Sequence, residues 1–133
     1  MISSYSDLIK ASYSQQEPQR LLFVFCRAEL PDEASPEEKA AFERGEGGAL
    51  TPVVCVDKTP DEAPDFKVLS EESRATGQAW DVVFVAAMSG RGGTPPSTDE
   101  AQQPLTMMVE SIRLGHINNY LPLDSQGNAV SLG

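Results

Sequence analysis

Basic residues are scarce in this chain. Lysine and arginine number 10 against 20 aspartates and glutamates, a formal net charge of −10 at pH 7. Phosphate backbones and anionic membrane surfaces repel such a chain, so nucleic acid and membrane are set aside as partners. Long apolar stretches are missing too: LLFVFC (21–26) and VVFVAAM (82–88) fall far short of the ~20 residues that span a bilayer. The opening segment MISSYSDLIKASYSQQ has no basic region followed by an apolar one, so no secretory signal is read and a cytoplasmic location is expected. There is one histidine and there are two cysteines, without CxxC or Cys/His spacing. That gives a metal site no support. No cofactor fingerprint is present, so no cofactor is expected.

The 133 residues fit a single domain, 1–133, with one core. Both cysteines sit inside apolar runs, Cys26 ending LLFVFC and Cys55 within VVCV. They read as reduced, buried thiols acting as small hydrophobes. Three continuous apolar runs predict strands at about 21–27, 53–57 and 81–88, the first buried on both faces and the last, over 82–87, central and covered on both faces. Pro31 is read as the end of the first. Between and around them lie helical patterns. SYSDLIKASYSQQ (4–16) presents Leu8, Ile9, Ala11 and Ser12 near one face, with Pro18 blocking continuation. Ser35-Pro36-Glu37-Glu38 is a helix start that runs to a stop at Gly45, with Gly47 and Gly48 behind it. DFKVLSEESRAT (65–76) turns Phe66, Leu69 and Val68 inward and stops at Gly77. PLTMMVESIRLG (104–115) carries Leu105, Met108, Val109 and Ile112 at helical spacing. Met107 and Met108 read as helix packing; Phe23, Trp80 and Phe84 read as core. The tail INNYLPLDSQGNAVSL suggests two short strands joined at Ser125-Gln126-Gly127-Asn128. Strands alternating with helices predict an α/β layered domain. Its central sheet of three main strands is expected to be mostly parallel, with a C-terminal antiparallel hairpin at an edge.

Ligands of a parallel sheet gather beyond the carboxyl ends of its strands. On that reading one rim collects Arg27 and Glu29, Asp57 and Lys58, and Ser89, Gly90 and Arg91. The rim could also be plain solvated surface. The sharper feature is SGRGGTPPS (89–97), a loop that leaves the most apolar strand through glycines, an arginine and two prolines. Glycine amides approach an anion closely, and an arginine adds a forked donor. Ser89, Gly90, Arg91, Gly92 and Gly93, with Asp57, Lys58 and Arg27, are therefore the candidate ligand-binding residues. The loop is neither a P-loop nor a dinucleotide fingerprint, because the lysine and hydroxyl of the first are absent and no helical pattern follows directly. The glycine-proline loop is read as extending from 89 to about 103. His116, at the end of the last helical pattern, suits the helix dipole and has no legible catalytic partner.

The segments LLFVFCRAELP, GEGGALTPVVCVDKTPDE and WDVVFVAAMSGRGG resemble a family of short proteobacterial proteins that carries the label ribonucleotide reductase subunit alpha. The resemblance runs over nearly the whole chain. A reductase large subunit is several times longer and works through a trio of active-site cysteines, whereas this chain has two cysteines, each placed in a strand. The resemblance thus implies neither reductase activity nor a catalytic residue. Its label implies an accessory or regulatory relation to that enzyme. From the residues themselves two readings stand. One is a non-enzymatic binding domain, expected to be a homo-oligomer (a dimer), that takes a small anion or a protein partner near SGRGG. The other is a small enzyme acting on a polar metabolite, with Asp57 or Glu29 as acid or base.

Overall fold

The computed structural model describes residues 2–30, 33–44 and 49–131. The strand and helix stops read at Pro31 and Gly45, and Gly47 and Gly48, lie outside them. In chain order the elements are α1 (Tyr5–Tyr13), β1 (Gln19–Glu29), α2 (Pro36–Glu43), β2 (Ala49–Lys58), a 3-10 turn (Pro60–Glu62), α3 (Phe66–Arg74), β3 (Val82–Ser89), α4 (Thr98–Arg113) and β4 (Leu121–Leu123). The strands form one sheet in the order β2-β1-β3-β4.

Every pairing in that sheet is antiparallel. The expected mostly parallel sheet is therefore wrong. The class, helices layered on a sheet, holds, but the strand directions do not. A run of apolar residues reports that both faces of a strand are covered; it carries no information on direction. The segment between β1 and β2 looked like a crossover because it contains a helix. That helix, α2, buries none of its residues, so it rides on a long antiparallel connection instead of packing back on the sheet. β2 and β3 both run against β1 and flank it, so they share a direction without touching.

Two apolar layers result. On one face Leu21, Phe23 and Phe25 of β1 and Val83 and Val85 of β3 pack under Tyr5, Leu8 and Ile9 of α1, Leu69 of α3, and Trp80. On the other, Leu22, Val24 and Cys26 with Val82 and Phe84 meet Ala101, Leu105, Met108 and Ile112 of α4. Phe23, Phe25 and Phe84 are fully buried, each contributing about 2 kcal/mol relative to exposure. Trp80 lies edge-on to Phe25, with centroids 5.0 Å apart, and its Nε1–H donates to Ser73 Oγ at 2.8 Å. Tyr5 donates its hydroxyl to the Ala63 carbonyl at 2.5 Å. Within the described residues no helix is long and apolar enough to cross a membrane.

Three further expectations change. α4 begins at Thr98, not near 104, so the loop ends at Ser97. Ser97 accepts from the Glu100 amide while the Glu100 carboxylate accepts from the Ser97 amide, a reciprocal cap that starts the helix despite Pro104 inside it. Met108 is buried as expected, but Met107 is 62% exposed. The tail forms β4 antiparallel to β3. Beyond the turn, pairing to β4 is a single bridge, Leu123 to Ala129.

Cys55 is the last correction: it is exposed, while Cys26 is fully buried. Among the described residues β2 is an edge strand, paired only to β1, and Cys55 lies opposite Val24 in the register, on the α4 face, where it lines an open cleft with Leu105 and Val109. Burial alone pushes the Cys26 thiol up to about 12. A polar alkylating reagent at neutral pH is expected to label folded protein once per chain, at Cys55, and Cys26 only after unfolding. Intact-mass and peptide analysis would count the labels; modification of both thiols in the folded state would contradict this packing.

Candidate functional site

Antiparallel pairing redistributes the predicted site residues. The carboxyl ends of β2 and β3 lie on either side of the amino end of β1: Leu22 faces Asp57, Leu21 faces Lys58, and Gln19 faces Ser89. Asp57, Lys58, Ser89, Gly90 and Arg91 are thus gathered at one end of the sheet, as expected. Arg27 and Glu29 are not. They sit at the far end of β1, where Glu29 pairs with Ala49, about 23 Å along the strand from the Asp57 register. There the Arg27 guanidinium donates to the Ala79 carbonyl and to Gln78 Oε1, and lies 3.9 Å from the Glu29 carboxylate.

Arg20 takes the place that the parallel reading assigned to Arg27. Its Nη1 meets Asp57 Oδ2 at 2.7 Å and its Nε donates to the Pro96 carbonyl at 2.5 Å. Thr98 Oγ1 donates to the same Asp57 oxygen at 2.9 Å, and Glu62 lies 3.7 Å from Nη1. The Arg20 and Asp57 side chains are only 12% and 11% exposed, so this pair is largely removed from water and hydrogen-bonded on several sides. It ties β1, β2, the 89–97 loop and the start of α4 together. Asp57 is therefore engaged in structure, and the carboxylates named as acid or base, Asp57 and Glu29, do not meet. Lys58 turns to Glu72 of α3 at 2.9 Å. The sequence signal for Arg20 was weak: it stands just before an apolar run, with no motif about it.

The glycines of the loop now have reasons. Arg91 and Thr94 exchange both backbone hydrogen bonds at 3.0 Å, closing a two-residue turn. At its centre Gly92 and Gly93 have φ of 58° and 82°, the pattern that favours glycine at both positions. A Cβ on Gly90 would stand 2.0 Å from the Thr94 carbonyl oxygen. The amides are mostly spent. Gly90 N–H donates to the Pro18 carbonyl at 2.8 Å, and Gly93 N–H to the Glu17 carboxylate at 2.7 Å. Of the three glycine amides only that of Gly92 has no partner among the described residues. Gln19 Nε2 donates to Ser89 Oγ at 2.9 Å, fastening the end of β3 to β1.

Arg91 is exposed, and among the described residues its guanidinium makes neither a hydrogen bond nor an ion pair. It borders a shallow cleft of about 220 Å³ lined by Met88, Ser89, Gly90, Thr94, Pro95, Pro96 and Glu100. The Glu100 carboxyl is held below its ordinary range, first by the Ser97 amide and hydroxyl, and further by Arg91. His116 is exposed at the far end of α4, its amide bonded to the Ser111 carbonyl. Among the described residues no group of His, Cys, Asp and Glu could hold a metal ion.

No family model, curated protein or solved structure matches the chain.

Removing one half of a desolvated ion pair leaves the other uncompensated. Asp57→Ala is expected to lower stability by about 3 kcal/mol, and Asp57→Asn by less, since the amide keeps an acceptor for Thr98 and Arg20. Urea unfolding followed by tryptophan fluorescence would measure both. An Asp57→Ala midpoint equal to wild type would show that the pair does not hold this end of the sheet together.

Proposed function

We propose that the chain is a cytoplasmic, non-enzymatic binding module whose recognition element is the 89–94 turn, presenting Arg91 to an anionic group of a small molecule or protein partner. One observation carries this reading: an arginine without an internal partner stands on a tightly closed turn beside an open cleft. The turn closes on itself and is anchored by Pro18 and Glu17, so the backbone beneath Arg91 is ordered before any ligand arrives, and binding need not bear that entropy. The ligand's anionic group would meet the guanidinium fork and the free Gly92 amide. Its apolar portion would lie against Met88, Pro95 and Pro96. Glu17 and Glu100 weaken the local positive field, which keeps affinity modest and salt-sensitive.

Titration with phosphate, followed at the amides of residues 89–94, is expected to shift Arg91 and Gly92 most. Arg91→Ala should abolish those shifts while leaving stability within about 0.5 kcal/mol, as for an exposed residue without partners. Silence of these amides in millimolar phosphate and in millimolar acetate would overturn the reading.

The dimer belongs to the same proposal. Among the described residues the outer edge of β2 is a long row of backbone groups facing no other strand, the usual template for pairing with a second chain. Pro52 within it narrows the stretch that can pair. Light scattering is expected to report a dimer, and a strictly monomeric mass at NMR concentrations would remove this part.

A further inference from the structure

The opposite face of the same sheet end carries a second cleft, of about 340 Å³, with contrary chemistry. It is lined by the end of α1 (Ser12, Tyr13), the connection into β1 (Gln15 to Gln19), and Pro60 and Asp61 of the 3-10 turn. Strand alternation turns Gln19 to the α1 face with Leu21 and Phe23. Gln19 is only 6% exposed. Its Nε2 is fully used, donating to the Glu17 carbonyl at 3.0 Å and to Ser89 Oγ at 2.9 Å. Its Oε1 accepts nothing among the described residues, and every fully enclosed side-chain polar atom described does have a partner. The unpaired oxygen is therefore not fully enclosed, on a residue that lines the cleft.

Asp61, Glu17 and Ser12 add further acceptors, beside the exposed Gln15 and Gln16 amides, which carry donors as well. Asp61 uses one oxygen for the Tyr13 hydroxyl and keeps the other free. Glu17 uses one for the Gly93 amide and keeps the other. The Ser12 hydroxyl donates its hydrogen bond to the Ile9 carbonyl at 2.7 Å, so only its lone pairs remain free. Neither carboxylate has an ion-pair partner among the described residues. The Tyr13 ring, 58% exposed, supplies an aromatic face beside them.

We propose that this cleft binds an alkylammonium group, held by the Glu17 and Asp61 carboxylates and the Gln19 amide oxygen, with its methylenes and charge against the Tyr13 ring. An ammonium brings three donors and no acceptor, the complement of two carboxylates and an amide oxygen. A cation over an aromatic face gains further attraction. The volume lies at the lower end of the range for small-ligand sites and suits a short aliphatic chain. The net charge of −10 concentrates cations near the surface. The site shares Glu17 with the turn that carries Arg91 but does not depend on anion binding there.

The test is an amide-resolved NMR titration of the whole chain with 1,4-diaminobutane, with its neutral isostere 1,4-butanediol, and with acetyl-lysine-amide. The diamine is expected to shift Ser12 to Gln19 and Asp61 saturably, and the diol to leave them unmoved. Lysine-amide binding equal to the diamine's would assign the group to a protein side chain; weaker binding would assign it to a free polyamine. Either supports the site. Asp61→Asn and Glu17→Gln, both on accessible side chains, should each weaken diamine binding about three- to fivefold. Tyr13→Leu should weaken it by a similar factor. Gln19→Leu should weaken it further, with its fold checked by the unperturbed spectrum of β3 and α4. Equal shifts from diol and diamine, undiminished affinity in Asp61→Asn and Glu17→Gln, or no shift in millimolar diamine would each overturn the proposal. Arg91→Ala should leave diamine binding intact, which separates this outcome from failure of the anion reading.

Discussion

The structure depends on β1 being apolar on both faces while hydrogen-bonded along both edges. Leu21 to Cys26 are all buried, with alternate side chains entering opposite layers. A strand of that kind cannot face water without exposing a continuous row of large side chains. It needs a helical layer above and below, and here it also has a neighbour on each side. β2 and β3 provide the neighbours, α1 and α3 one layer, and α4 the other.

The central position of β1 also decides where polar groups meet. Its two neighbours run against it, so the amino end of β1 lies between two carboxyl ends. Arg20 is the first residue of β1 to point toward the α4 face, and it arrives beside Asp57 with Pro96 and Thr98 closing over it. Gln19, one residue earlier, points to the α1 face and lines the cleft that holds Glu17 and Asp61. One step along the strand thus separates two environments, an arginine-bearing rim on one face and a carboxylate-bearing cleft on the other. Glu17 links them by accepting from the Gly93 amide, so the turn and the cleft are parts of one hydrogen-bonded end.

Local features were legible where short-range chemistry governs them. Ser35 with Glu38 forms the reciprocal cap of α2, and the apolar spacing of Leu105, Met108 and Ile112 marks the buried face of α4. The start of α4 was also written in the chain, in Ser97 and Glu100 three residues apart, but Pro104 obscured it. Proline inside a helix removes one hydrogen bond, and here the capping box and the buried face outweigh that loss. Cys55 was misread for a different reason. A short apolar run looks the same in a central strand and at an edge, and only the strand order separates them.

By itself the sequence determined the three main strands, the helices about them, the burial of Phe23, Phe84 and Trp80, and a glycine-rich loop leaving the third strand. Each of these follows from the nature of a residue and its near neighbours: side-chain hydrophobicity, periodicity, caps and allowed backbone angles. Tertiary structure alone decided that the sheet is antiparallel, that Arg20 and not Arg27 joins Asp57, and that Gln19 lines a cleft with Asp61. Strand direction depends on how connecting segments pack, and α2 buries none of its residues. Pairing between residues tens of positions apart depends on register, which no local pattern in either strand encodes.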